Sequence, residues 1–191
     1  MAGALRALLE PAFAGARRIP RAPRGSRQTR AASSEKGTKV KTRIDLVETY
    51  PYSIEQVWSA LTDKTAISQW LMKTDDFEPK VGQRFRLRAK PMPGWRGFVD
   101  CEVLEVTAPR LISYSWVGDE KGPTMRVTWT LESVPGGTRL RLEHTGFEGF
   151  GGFLLAKLMM GPGWKKMLRR RFPVVLSGGA LDASLAPGGA K

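Results

Sequence analysis

The chain has 191 residues, 41% of them apolar, with 31 Lys and Arg against 18 Asp and Glu, one His and one Cys. That length allows a full hydrophobic core, and about 150 residues is a typical single-domain size. Cys101 alone cannot form an internal disulfide, and with His144 as the sole imidazole no cluster has metal-ligand spacing, so disulfide scaffolds, structural zinc sites and His-rich metal centres are excluded.

The net charge of +13 is unevenly spread. Residues 1–39 hold nine basic residues against Glu10 and Glu35, a surplus of +7, so half the basicity belongs to this stretch. It is rich in Arg, Ala, Gly, Pro and Ser, and Leu5, Leu8, Leu9 and Phe13 give its opening an apolar helical face. Three readings compete: an organelle-targeting presequence, a basic arm on nucleic acid, and a disordered extension of a cytoplasmic bacterial protein, such as a start codon placed too far upstream produces. The last is preferred, because Glu10 interrupts the apolar face. The alternative location is the mitochondrial matrix or another organelle. A secretory signal is disfavoured, because Ala7-Leu8-Leu9 ends at once in Glu10-Pro11. The expected organisation is a basic extension over 1–38, one domain over 39–176 and a loose Gly/Ala/Ser tail over 177–191.

Val40 to Tyr50 alternates around Val40, Ile44, Leu46 and Val47 and predicts a half-buried, somewhat irregular strand. Ser53 then supplies an N-cap with Gln56 at the capping-box position, and Ile54, Val57, Trp58 and Leu61 share one helical face. Asp63 caps a second short helix carrying Ile67, Trp70 and Leu71.

Five strand-like segments follow. Phe85, Leu87 and Ala89 alternate until Pro91-Met92-Pro93-Gly94 breaks the run; Val99, Cys101 and Val103 resume it. Ile112, Tyr114 and Trp116 share one side of the next segment. Met125, Val127, Trp129 and Leu131 alternate with Arg126, Thr128, Thr130 and Glu132. Pro135-Gly136-Gly137 reads as a hairpin connection, after which Leu140, Leu142 and His144 alternate with charged neighbours. Together with the first strand these imply an antiparallel meander with one apolar face to cover.

The cover lies near the C-terminus. Pro162 suits a first helical turn, and Trp164, Met167, Leu168, Phe172 and Val175 fall in one arc opposite Lys165, Lys166, Arg169 and Arg170. Pro173 would cost about 3 kcal/mol inside an ideal helix, which predicts a kink or an end near Phe172. Arg171 projects into the apolar arc; an Arg snorkelling to the rim is preferred over a buried, ligand-pairing guanidinium. The longest apolar run here, Phe153 to Ala156, is far short of the roughly 20 residues of a bilayer span.

Tyr50-Pro51-Tyr52-Ser53-Ile54-Glu55-Gln56-Val57-Trp58, Trp70-Leu71, Val81-Gly82-Gln83-Arg84-Phe85, Glu143-His144-Thr145-Gly146-Phe147 and Gly163-Trp164-Lys165-Lys166-Met167-Leu168, in that order, resemble the SRPBCC superfamily. More narrowly they resemble its branch related to the activator of the ninety-kilodalton heat-shock chaperone ATPase. The likeness covers residues 39–176. It implies an α+β, START-like helix-grip fold: a curved antiparallel sheet of about six strands around a long C-terminal helix, with two short helices after strand one. Relatives of this type continue the helix where Pro173 stands.

A helix laid across a curved sheet often leaves a cavity, the usual small-molecule site. Its expected lining is Phe85, Leu87, Val99, Cys101, Tyr114, Trp116, Met125, Trp129, Leu142 and His144 from the sheet, with Trp164, Leu168 and Arg171 from the helix. The competing reading is that these rings simply fill the core. His144 is a weak candidate for general acid or base, but a structural His held by a neighbour is preferred, since Glu143 points the other way along the strand. Cys101 reads as a small buried hydrophobe, and Asp75-Asp76 as a solvated loop. The Gly-rich run 146–152 lacks the Lys-Ser/Thr ending of a P-loop and reads as a flexible loop at the cavity mouth, with Phe147, Phe150 and Phe153 exposed as a gate or a membrane contact.

The leading function is non-enzymatic binding of a small hydrophobic molecule, with no cofactor and no metal. A chaperone-associated interaction domain using the outer sheet face, as the resemblance implies, is the second reading. A cavity enzyme of cyclase or hydrolase type using His144 is the third. Nucleic acid is disfavoured as a partner, since no aromatic platform accompanies the basic helix face; an acidic protein or an anionic membrane stays open.

Overall fold

The computed structural model describes residues 42–119 and 122–179. The expected N-terminal extension over 1–38, and the C-terminal tail from 180 onward, lie outside the described residues. Six strands form a single antiparallel sheet: β1 (Thr42–Tyr50), β2 (Arg84–Arg88), β3 (Phe98–Thr107), β4 (Leu111–Trp116), β5 (Met125–Val134) and β6 (Gly137–Phe147). Their spatial order is β1-β6-β5-β4-β3-β2, so every neighbouring pair but one is joined in sequence, and β1 closes against the last strand. Between β1 and β2 stand two short helices, α1 (Ile54–Thr62) and α2 (Lys64–Trp70).

Local chemistry explains the boundaries. The Ser53 hydroxyl accepts from the Gln56 amide while the Gln56 side chain accepts from the Ser53 amide, a reciprocal capping box that starts α1. Asp63 ends α1 and caps α2 through the Ala66 amide at 2.8 Å. The irregularity expected in β1 is a register shift between Thr42 and Ile44.

The β5–β6 hairpin turns on Pro135-Gly136, with Val134 paired to Gly137. Pro135 presets the first turn position, and Gly136 at φ 84° supplies the positive φ that a type II turn requires at the second. Gly137, at φ 150°, sits so close to β1 that a Cβ there would lie 2.0 Å from the Tyr50 carbonyl oxygen. Gly137→Ala is expected to lower stability by about 2 kcal/mol, the strain of a disfavoured backbone conformation plus displacement of the β1 end. Urea denaturation checks this, and an unchanged midpoint would mean that the hairpin end is free of β1.

The covering helix is longer than the sequence pattern predicts. Residues 149–176 form one continuous helix, α3, in which the turns Leu155–Met160 and Met167–Arg171 widen to π-helical hydrogen bonding. The residues at each join keep right-handed helical dihedrals. Each widened segment lies just N-terminal to a proline, Pro162 or Pro173. Proline lacks an N–H and its ring crowds the carbonyl one turn back, and a wider turn relieves both. The expected end near Phe172 is thus corrected: the helix passes Pro173 and runs to Leu176. Pro162 likewise lies inside α3 and not in its first turn, and the expected flexible loop is already helical from Gly149.

The inner face of α3 buries Ala156, Trp164, Leu168, Arg171 and Phe172, and the sheet presents the alternating set read from the sequence. Tyr50, at the end of β1, donates its hydroxyl to the Leu168 carbonyl at 2.8 Å and ties helix to sheet. Together α1, α2 and the C-terminal half of α3 close over the curved sheet, the helix-grip arrangement that the resemblance implies.

Candidate functional site

The sheet face and α3 bring every proposed lining residue into one buried cluster: Phe85, Leu87, Val99, Cys101, Tyr114, Trp116, Met125, Trp129, Leu142 and His144 opposite Trp164, Leu168 and Arg171. What lies between them is mostly aromatic ring. Trp164 packs 5.5 Å from Trp116 and 5.5 Å from Trp129, centroid to centroid. Trp70, from α2, meets Trp129 edge-on at 5.8 Å and Phe172 at 4.8 Å, and Phe85 meets Tyr114 at 5.4 Å. Such edge-to-face pairs add about 0.5–1.5 kcal/mol each beyond area burial.

Beneath α1 and α2 little open space is left. Between Leu61, Trp70, Phe85, Leu87, Tyr114 and Trp129 about 10 Å³ is enclosed, at the lower limit of what one water occupies, about 10–15 Å³. The sequence pattern shows Trp70 only as part of α2's apolar face, yet it closes this gap. Its indole N–H donates to the Ala60 carbonyl at 2.9 Å, a partner on α1 that the sequence pattern does not reveal.

The polar tips inside the cluster pair with one another. Trp129 donates to the Tyr114 hydroxyl at 2.9 Å and Trp164 donates to His144 Nδ1 at 3.0 Å. Because Nδ1 accepts, the proton of the neutral ring sits on Nε2, which is buried without a hydrogen-bond partner among the described residues. Burial pulls the His144 pKa from 6.5 down to about 3, so the ring is neutral at physiological pH. The same desolvation pushes the Cys101 thiol and the Tyr114 phenol up, far from any reactive thiolate or phenolate. His144 thus has the neighbour-held role preferred from the sequence, with an indole as the neighbour.

Two expectations are corrected. Arg171 does not snorkel to the rim: it is 8% exposed, buried in the apolar arc where the wheel places it. Phe147 is not part of an exposed gate; it is 2% exposed and its ring lies 4.8 Å from His144, since the register shift between His144 and Phe147, with Gly146 at φ 96°, breaks the alternation of β6 and turns the ring inward. Phe150 and Phe153 are exposed, as expected.

Outside the cluster, Asp75 is largely solvated and lies 3.5 Å from Arg88, and no group of three or more His, Cys, Asp or Glu suited to a metal occurs among the described residues. An open groove of about 520 Å³ runs along β2 and β3, lined by Asp76, Arg84, Arg86, Arg88, Asp100 and Glu102. Arg86 pairs with Asp100 at 2.6 Å and Arg84 with Glu102 at 3.0 Å. Phe85, Cys101, Ser115 and Val117 complete this lining, which mixes charged with apolar groups.

The fold recurs in solved structures. Protein MLL2253 from Mesorhizobium loti is 32% identical, with a TM-score of 0.62 over 73% of this chain and 100% of its own. CalU16 from Micromonospora echinospora is 25% identical, with a TM-score of 0.55 over 71% of this chain and 76% of its own. DynU16, from the dynemicin biosynthetic locus, shares the fold at 23% identity and a TM-score of 0.61, over 72% of this chain and 48% of its own. No curated protein matches the chain. The family described as activator of Hsp90 ATPase homolog 1-like protein matches residues 51–177, which include α1, α2, five of the six strands and all of α3. The chain belongs to this family, with the SRPBCC helix-grip fold.

Proposed function

We propose that the protein is a non-enzymatic interaction domain that engages a protein partner through the outer face of its sheet, the partner being a chaperone ATPase of the kind named in the family's description. The observation that carries this reading is the tight packing beneath α1 and α2: the space among Leu61, Trp70, Phe85, Leu87, Tyr114 and Trp129 is about 10 Å³, too small for a hydrophobic guest there. The outer groove along β2 and β3 offers Arg, Asp and Glu side chains, which suit a protein surface of mixed charge better than an apolar small molecule. The test is the steady-state ATPase rate of a purified ninety-kilodalton chaperone with and without the full chain. Stimulation that saturates with added protein, and that weakens in Arg84→Ala/Arg88→Ala, supports the reading. An unchanged rate removes the chaperone as partner.

Carriage of a small hydrophobic molecule is the second reading, and one observation favours it: the unpartnered Nε2–H of His144 inside an apolar cluster, a donor that a ligand oxygen would satisfy if α3 moved outward. Titration with a series of fatty acids, followed through the imidazole resonances of His144, distinguishes the two. A saturable shift supports carriage, and an unmoved ring counts against it.

A further inference from the structure

The first half of α3 carries an apolar face that no described residue covers. Phe150 is 77% exposed, Leu158 70% and Met159 58%, and Phe153 and Leu154 stand exposed between them. A helix that only packed on the sheet would place polar residues on this side. The opening turn is built from Gly149, Gly151 and Gly152, has no side-chain cap, and buries none of Gly149–Leu154. Each Gly weakens a helix by about 1 kcal/mol relative to Ala, so intrinsic helix stability does not account for keeping large apolar side chains outward here.

The charge along the same side is of one sign. Residues 149–176 contain six Lys and Arg and no Asp or Glu. Arg171 is buried and Arg169 pairs with Glu48 at 2.6 Å. Lys157, Lys165, Lys166 and Arg170 remain, all exposed and without an acidic partner among the described residues. The outer side of one helix is therefore apolar over its first turns, with Lys157 among them, and cationic over the next.

From this face we infer a peripheral membrane contact: α3 docks on an anionic phospholipid surface, Phe150, Phe153, Leu154, Leu158 and Met159 entering the headgroup boundary while Lys157, Lys165, Lys166 and Arg170 meet lipid phosphates. Interfacial helices combine these two features, and their apolar side chains reach about 5–10 Å into the boundary. From Phe150 to Leu158 the helix advances about 12 Å, so the side chains lie along the surface and do not span it. A lipid surface moulds itself to a convex helix, whereas a protein partner would have to supply a matching groove. The inference stands apart from the chaperone reading, which uses the sheet.

The test is co-sedimentation of the full chain with phosphatidylcholine vesicles and with phosphatidylcholine vesicles containing phosphatidylserine. Binding is expected to the anionic vesicles alone, to weaken with salt, to be lost in Phe150→Asp/Leu158→Asp, and to fall roughly thirtyfold in Lys165→Ala/Lys166→Ala. All four positions are exposed, so circular dichroism and the thermal midpoint of both variants should match the parent. Equal binding to both vesicle types, or none, overturns the inference. So do variants that bind as the parent does, which would assign the contact to the Arg-rich residues 1–39. If Phe150→Asp/Leu158→Asp keeps vesicle binding but loses chaperone stimulation, the face is a protein interface and the lipid assignment fails. An inactive chaperone assay alone leaves the vesicle result standing.

Discussion

Trp164→Ala is expected to lower folding stability by about 3–5 kcal/mol, the range for removing a fully buried large aromatic. Trp164 is 1% exposed, packs at a tilt against Trp116 and edge-on against Trp129, and donates to His144. Its removal would leave an indole-sized void at the centre of the grip and orphan the His144 Nδ1 acceptor. Domains of this size have about 5–15 kcal/mol in total, so the variant would keep little margin at growth temperature. Trp164→Phe isolates the polar part: most packing stays, and the expected loss is about 1–3 kcal/mol for the unsatisfied ring nitrogen. Equilibrium urea unfolding measures both. A loss below about 1 kcal/mol for the alanine variant would mean that α3 is not gripped by the sheet.

Acid is expected to destabilise the domain well before its carboxylates titrate. The folded form keeps the His144 ring neutral down to about pH 3, whereas the unfolded chain takes up a proton near 6.5. Between these values the unfolded state binds more protons, so the contribution is fully present above pH 6.5 and is lost as pH falls toward 3. The slope rises to about 1.4 kcal/mol per pH unit below the unfolded pKa, which sums to about 2 kcal/mol between pH 6.5 and 4.5. Asp45, whose carboxylate is held below its usual range by Arg141, adds acid sensitivity only near pH 4 and lower, outside that interval. In His144→Gln, whose side-chain oxygen can still accept from Trp164, the slope between pH 6.5 and 4.5 should vanish even though the variant starts less stable. A slope that persists in the variant would place the titrating group elsewhere.

Much of this architecture is legible in the sequence, because alternation and capping are local. Met125, Val127, Trp129 and Leu131 face inward as their parity requires, and Ser53 and Asp63 start their helices through side-chain hydrogen bonds that need no tertiary context. The course of α3 is less legible. A wheel of 3.6 residues per turn puts Pro162 at a start and Pro173 at an end, while two wider turns carry the helix through both. Arg171 falls in the apolar arc of that wheel, yet its burial escapes the pattern, because an arginine is long enough to reach the rim from the same position.

The candidate site shows a different limit. Every proposed lining residue is buried in one cluster, but whether a cluster encloses space depends on how rings interlock across elements far apart in sequence. Trp70 fills the gap because α2 leans on Phe172 and Trp129, and no spacing rule places those three rings together. The same limit hides the Trp164–His144 hydrogen bond, although both residues sit on the predicted inward faces.

The central claim is that the grip holds its own side chains and no guest. Native mass spectrometry of the full chain, purified gently from its host, tests this directly. The account predicts a single species at the mass of the polypeptide, unchanged after organic extraction. A stoichiometric additional mass that extraction removes, from protein in which Trp164→Ala raises the occupancy further, would contradict it.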